Sequence, residues 1–101
     1  MDLQSLRQRI DEIDDDIVRL FQQRMDVSAE IAQYKRQNNM PVFDPERERQ
    51  KLYDVCCKVN EDRKAYVSEL YSLLFTLSRA EQQRILNSDS KKCPGSYSEV
   101  V

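Results

Sequence analysis

Two cations occupy unusual places in the first third of the chain. Arg24 interrupts a run of apolar residues with heptad spacing, and Lys35 follows eleven residues later. Because eleven residues make about three helical turns, both side chains project from nearly one helix face. A buried guanidinium needs an anion, and no residue three or four positions from Arg24 is acidic. The pair indicates either a site for an anionic ligand or a buried charge that sets helix register.

Three further groups of polar residues have spacing that suits a helical site. Arg7 lies more than about 20 Å from Arg24 by helical rise, so it is either an exposed charge or a contact to an antiparallel partner chain. Residues 44–49 mix cations and carboxylates at a predicted helix N-terminus, which favours an anion or hydroxyl ligand; the alternative is a solvated, salt-bridged turn. Ser78 and Gln82 share a helix face and, by themselves, are typical of polar surface.

The composition excludes several kinds of catalytic site. The chain has no His and one Gly, which rules out His-based triads, imidazole bases, His metal sites and Gly-rich phosphate loops. No imidazole is present to activate a thiol, so we interpret Cys56 and Cys57 as structural. We therefore expect a site that uses neither a metal nor a cofactor.

Charge, hydropathy and cysteine usage limit the partners and the location. The chain has 16 basic and 18 acidic residues, a net charge of −2, which argues against nucleic-acid binding. No apolar run approaches the roughly 20 residues of a membrane span, and charges scattered through the N-terminal residues are not typical of a signal peptide. Three cysteines, two of them adjacent, do not describe a disulfide framework. We therefore predict a reducing, cytoplasmic location.

Three helices and no sheet are predicted to position these residues, because β-hairpin turn signals are missing. The first helix runs from about residue 2 to 37, and nine of its ten heptad a and d positions are apolar. Such a helix is about 50 Å long, whereas a compact domain of about 100 residues has a radius of gyration near 13 Å. We therefore predict an all-α homodimer in which two long N-terminal helices cover each other. The heptad positions are Leu3, Ile10, Ile17, Arg24 and Ile31 at a, and Leu6, Ile13, Leu20, Val27 and Tyr34 at d.

Local signals delimit the other helices. Asn residues at 38 and 39 followed by Pro41 end the first helix, and Asp44 with Pro45 begins a second, which is predicted to run to about residue 59. A third helix is predicted from about residue 63 to 86. The stretch after residue 87 is rich in Ser and has no helical period, so we predict a domain over 1–87 and a disordered tail or linker over 88–101.

In this order and spacing, the motifs resemble the all-helical class of chorismate mutases over about residues 3–86. The resemblance rests on Leu3-x-x-Leu6-Arg7, Arg24, Tyr34-Lys35, Asp44-x-x-Arg47-Glu48 and Ser78-x-x-x-Gln82. It implies an intertwined helical homodimer with two active sites shared between subunits. It also implies conversion of chorismate to prephenate, an isomerisation in the biosynthesis of phenylalanine and tyrosine.

The resemblance also implies roles for the individual residues. Arg7 of one subunit and Arg24 of the other are expected to bind the substrate carboxylates, with Arg47 as a further cation and Ser78 in support. Lys35 is expected to contact a carboxylate and the ether oxygen.

Two further roles complete the implied site. Gln82 is expected to donate a second hydrogen bond to the ether oxygen. Glu48 and the backbone near Asp44 are expected to hold the ring hydroxyl. Lys35 and Gln82 are thus the expected catalytic pair. A Claisen rearrangement transfers no proton and needs no nucleophile, which agrees with the residue chemistry.

Two residues depart from the family pattern, and two other functions compete with the mutase. Arg79 stands where an apolar residue is expected, and we expect it to face solvent; Tyr34 is bulkier than the residue usual before the site lysine. An isochorismate-pyruvate lyase has a similar fold and cationic site. A catalytically silent helical dimerisation or regulatory module predicts instead that Arg24 pairs with a protein carboxylate.

Overall fold

A single long helix dominates the structure, a computed structural model that describes residues 2–90, with side chains for 2–88. This helix, α1, spans Leu3–Gln37. Asp2 caps it, because its Oδ1 accepts a hydrogen bond from the Ser5 amide at 2.8 Å; that bond lowers the pKa of the Asp2 carboxyl. Asn39 adopts a left-handed conformation, with φ of 56°, which turns the chain as the two asparagines predict.

The second helix, α2, spans Pro45–Cys56. Its start is the predicted one: Asp44 Oδ1 accepts from the Arg47 amide at 3.1 Å, and Pro45 occupies the first turn, where no amide donor is needed. Its end comes three residues before the predicted residue 59, because the Cys57 and Lys58 amides bond to the Tyr53 and Val55 carbonyls in a closing turn.

A 3₁₀ turn over Glu61–Arg63 leads into the third helix, α3, at Lys64–Ser90. The helix therefore continues four residues beyond the predicted end at 86. Residues 88–90 of the predicted tail belong to this helix, and 91–101 lie outside the described residues. The boundary at 87/88 stays a prediction.

Helices α1 and α2 both pack against α3. The C-terminal part of α1 runs parallel to α3, since residues 24, 28 and 35 contact residues 71, 78 and 82 in the same order. Helix α2 runs antiparallel to α3, because residue 48 contacts residue 79 and residue 56 contacts residue 64. Residues 2–90 contain no strand, which confirms the predicted all-α class, and within them no helix is long and apolar enough to cross a membrane.

The N-terminal two-thirds of α1 projects away from the other helices. Every residue from 3 to 23 is exposed, and the radius of gyration is 17.4 Å, against about 13 Å for a compact domain of this size. Ile10, Ile13 and Ile17 expose 56%, 53% and 57% of their surface. The buried apolar residues of the described chain are Ala32 and Val55. A single chain thus leaves most of its apolar seam in water, and the dimer that would cover it stays a prediction.

Candidate active site

A cleft of about 610 Å³ opens where the three helices meet. It contains seven of the eight residues predicted for the site. Arg7 is the exception: it lies on the projecting part of α1, about 25 Å along the helix from Arg24. The seven are Arg24, Lys35, Asp44, Arg47, Glu48, Ser78 and Gln82.

Lys35 lines the cleft and is 9% exposed. Its Nζ donates to the Val42 carbonyl at 2.7 Å and to Gln82 Oε1 at 3.1 Å. Both acceptors are neutral, and no carboxylate of residues 2–88 pairs with this ammonium. An ammonium has three donors, so one N–H remains for a ligand in the cleft.

Gln82 is held by two helices and is 6% exposed. Its Oε1 accepts from Lys35, and its Nε2 donates to Ser78 Oγ at 3.1 Å. Ser78 Oγ lies 2.8 Å from Ser28 Oγ, which continues the chain of hydrogen bonds to α1. These bonds fix the amide so that one Nε2 proton remains available. Lys35 and Gln82 therefore offer two adjacent donors from neighbouring helices.

Arg24 is half-buried and lines the cleft about three helical turns before Lys35. Its guanidinium lies over the Tyr71 ring, with Cζ 5.7 Å from the ring centroid, an arrangement that stabilises a cation by the ring quadrupole. No carboxylate of residues 2–88 pairs with it. Within one chain, the ion pair that a silent dimerisation module predicts for Arg24 is therefore missing from the described residues.

Arg79 corrects a sequence-based expectation. It was expected to face solvent, but it lies in the cleft wall and forms an ion pair with Glu48. Its guanidinium also lies over the Phe43 ring, with Cζ 5.1 Å from the ring centroid. The antiparallel packing of α2 on α3 explains the difference, because it brings the Glu48 carboxylate and the Phe43 ring next to Arg79. Helical spacing within α3 does not predict these contacts.

The cleft carries a surplus of positive charge. Six cationic side chains and two carboxylates line it; Glu48 is paired with Arg79, and Asp44 bonds to its own helix terminus. Across the described residues, no three carboxylates or thiols come together to hold a metal ion. The site therefore suits a small molecule with more than one negative charge. The six cations are Arg24, Lys35, Arg47, Lys51, Lys58 and Arg79.

Several of these lining residues were not predicted from the sequence. Lys51 follows Arg47 by four positions on α2, so both share the helix face that lines the cleft, and Lys58 lines it from the turn after α2. Tyr71 precedes Ser78 by one heptad and lies on the same face of α3. Helical spacing from Arg47 and Ser78 was the signal that could have identified Lys51 and Tyr71; it does not extend to Lys58, which lies after the end of α2.

Comparison with known proteins agrees with this geometry. The family model for chorismate mutase type II matches residues 6–83. The chain is 31% identical over 94 residues to the chorismate mutase of Methanocaldococcus jannaschii, a match that covers 89% of this chain and 93% of that protein. It is 36% identical over 89 residues to the bifunctional chorismate mutase/prephenate dehydratase of Buchnera aphidicola subsp. Schizaphis graminum, covering 85% of this chain and 23% of that protein.

A shorter match is to the T-protein of Haemophilus influenzae, 35% identical over 46 residues, which covers 46% of this chain and 12% of that protein. The chain thus spans less than a quarter of these two longer relatives and nearly all of the Methanocaldococcus protein. No solved structure matches it. The family match extends over all three helices and includes every side chain that we identified in the cleft from sequence, so the chain belongs to the chorismate mutase type II family.

Proposed function

We propose that this chain, an isomerase by its family membership, rearranges chorismate to prephenate for the synthesis of phenylalanine and tyrosine. The observation that carries the proposal is the buried Lys35 ammonium, which bonds to neutral acceptors beside the Gln82 amide in a cationic cleft. Such a site is built to receive oxygen atoms that carry negative charge. Chorismate offers two carboxylates and an ether oxygen that gains charge as its C–O bond breaks.

Two donors stabilise the transition state in this proposal. Lys35 and Gln82 each direct one N–H at the ether oxygen, and the bonds strengthen as negative charge develops there. The hydrogen bonds to Val42 and Ser78 hold both donors before substrate arrives, so little reorganisation is needed. Losing one such donor typically costs about 3 to 4 kcal/mol of barrier. Two donors therefore supply most of the roughly 8 kcal/mol that a 10⁶-fold acceleration needs.

Orientation of the bound substrate supplies the rest of the barrier lowering. Arg24 and Arg47 bind the two carboxylates and hold the substrate in its folded, reactive shape, which converts binding energy into a lower entropy cost at the transition state. Ser78 supports a carboxylate. Glu48 and the backbone near Asp44 accept the ring hydroxyl.

A second chain completes the site in this proposal. The apolar seam of α1 is exposed from Leu3 to Ile17, and burying it against an antiparallel copy would bring Arg7 of the partner toward the cleft. A helical homodimer then has two sites, each with one arginine from the other subunit. We also place the protein in the cytoplasm, on the cysteine content described above.

Turnover of chorismate by the purified chain tests the proposal, with the product identified by NMR. Prephenate is the expected product. Pyruvate and a hydroxybenzoate formed from isochorismate in a parallel reaction, with no prephenate from chorismate, would contradict the proposal and favour the isochorismate-pyruvate lyase function. No turnover of chorismate or isochorismate by the folded chain would refute catalysis and favour the silent module.

A further inference from the structure

The Arg79 side chain contacts residues of α2, of the loop before α2 and of its own helix. Its guanidinium pairs with Glu48, lies over Phe43 and contacts Thr76 Oγ1 at 3.4 Å. The Arg79 and Glu48 side chains are 33% and 23% exposed. In each of the other ion pairs between described residues, at least one of the two side chains is more than half exposed. One side chain therefore joins α3 to the first turn of α2 and to the loop before it.

The contacts of Arg79 reach both parts of the proposed substrate site. Glu48 is the acceptor proposed for the ring hydroxyl. Phe43 adjoins Val42, whose carbonyl accepts the hydrogen bond from Lys35. The Arg79 cation thus influences the position of the Glu48 carboxylate directly. It influences the position of Lys35 through the loop that contains Val42 and Phe43.

Charge gives this contact a second consequence. A bare carboxylate at Glu48 would repel a dianion that enters the cleft, and the partly buried position would make that repulsion weakly screened. The guanidinium offsets the charge while it leaves the second carboxylate oxygen of Glu48 open to accept a hydroxyl. A planar fork suits this task, because one N–H group can hold an oxygen without covering the whole carboxylate.

We propose that Arg79 is a positioning residue for substrate binding, which holds the Glu48 carboxylate in place and offsets its charge against an incoming dianion. The inference rests on the proposed function and deepens it, because it assigns hydroxyl recognition to the Arg79–Glu48 pair as a unit. Since the pair acts on ground state and transition state alike, its loss raises KM and leaves kcat nearly unchanged.

A double-mutant cycle on the full chain tests the proposal. R79M is expected to raise KM for chorismate about tenfold, with kcat changed less than about threefold. R79K keeps the charge and is expected to restore KM to within about threefold of the parent. In the E48Q background, where no negative charge remains to be offset, R79M is expected to change KM less than about twofold. R84M is the matched control, since Arg84 pairs with Glu81 on α3 outside the cleft lining.

The outcomes separate this proposal from others. An equal KM increase in both backgrounds would overturn it, because Arg79 would then act without Glu48; so would an R79M variant with unchanged KM. If the parent chain does not turn over chorismate, the proposed function fails, and the parent, R79M, E48Q and the R79M/E48Q double variant are compared by thermal unfolding. Coupled effects of R79M and E48Q on stability would then support the positioning contact, and additive effects would overturn it.

Discussion

Replacing Gln82 by Glu changes one NH₂ group to oxygen and almost preserves the shape of the side chain. In the parent, Oε1 accepts from Lys35 Nζ at 3.1 Å and Nε2 donates to Ser78 Oγ at 3.1 Å. An ionised carboxylate keeps the contact with Lys35 and loses both N–H donors. The ether oxygen of the substrate would then face an anion in place of a donor.

The size of the effect follows from the burial of this side chain. Because Gln82 is 6% exposed, bulk water is poorly placed to replace the missing donor. The loss of one transition-state donor costs about 3 to 4 kcal/mol, which lowers kcat by about 10² to 10³. Protonation restores an O–H donor, so activity is expected to increase as the pH falls. The increase approaches about tenfold per pH unit while the pH lies above the pKa of the introduced carboxyl.

The assay is kcat for chorismate consumption by parent and variant between pH 5 and 9. Gln83→Glu is the matched control: Gln83 is exposed and bonds to Asn87 on its own helix, so its profile is expected to follow that of the parent. A Gln82→Glu enzyme with kcat within about threefold of the parent at pH 8, or with a profile that does not rise toward acid, would refute the donor role.

Three other predictions test the chemistry and the assembly. The parent's kcat is expected to be nearly flat from about pH 6 to 9, because the rearrangement transfers no proton and the chain has no His; a steep limb near pH 7 would contradict a site without acid–base catalysis. Arg7→Ala and Arg24→Ala are each expected to be nearly inactive, and their mixed heterodimer to regain one working site; no recovery on mixing would contradict a shared site. For the proposed dimer, Ile13→Glu is expected to cause dissociation in sedimentation, since burying one isoleucine contributes about 1.5 to 3 kcal/mol per chain, whereas Glu12→Lys is expected to leave association unchanged. Association of Ile13→Glu chains as strong as that of the parent would contradict an interface along this seam.

Local chemistry made several features predictable from sequence. Asp44 and Pro45 start α2 where expected, because a cap needs only a side-chain oxygen and an amide three residues on. Arg24 and Lys35 line one cleft because eleven residues return a helix to nearly the same face. The ends of α2 and α3 were less predictable, because the closing turn after Cys56 competes with a continued helix over a small difference in free energy.

The sequence by itself determined three helices, their starting signals and the face that carries each polar group, since these depend on residues within a few turns of one another. Only the tertiary structure decided which faces meet. It brings Lys35 to Gln82 across 47 positions of the chain and Ser28 to Ser78 across 50, and it directs Arg79 to Glu48 instead of water. Helical spacing specifies how side chains are arranged around one axis, but the rotation of one helix against another depends on packing between distant segments.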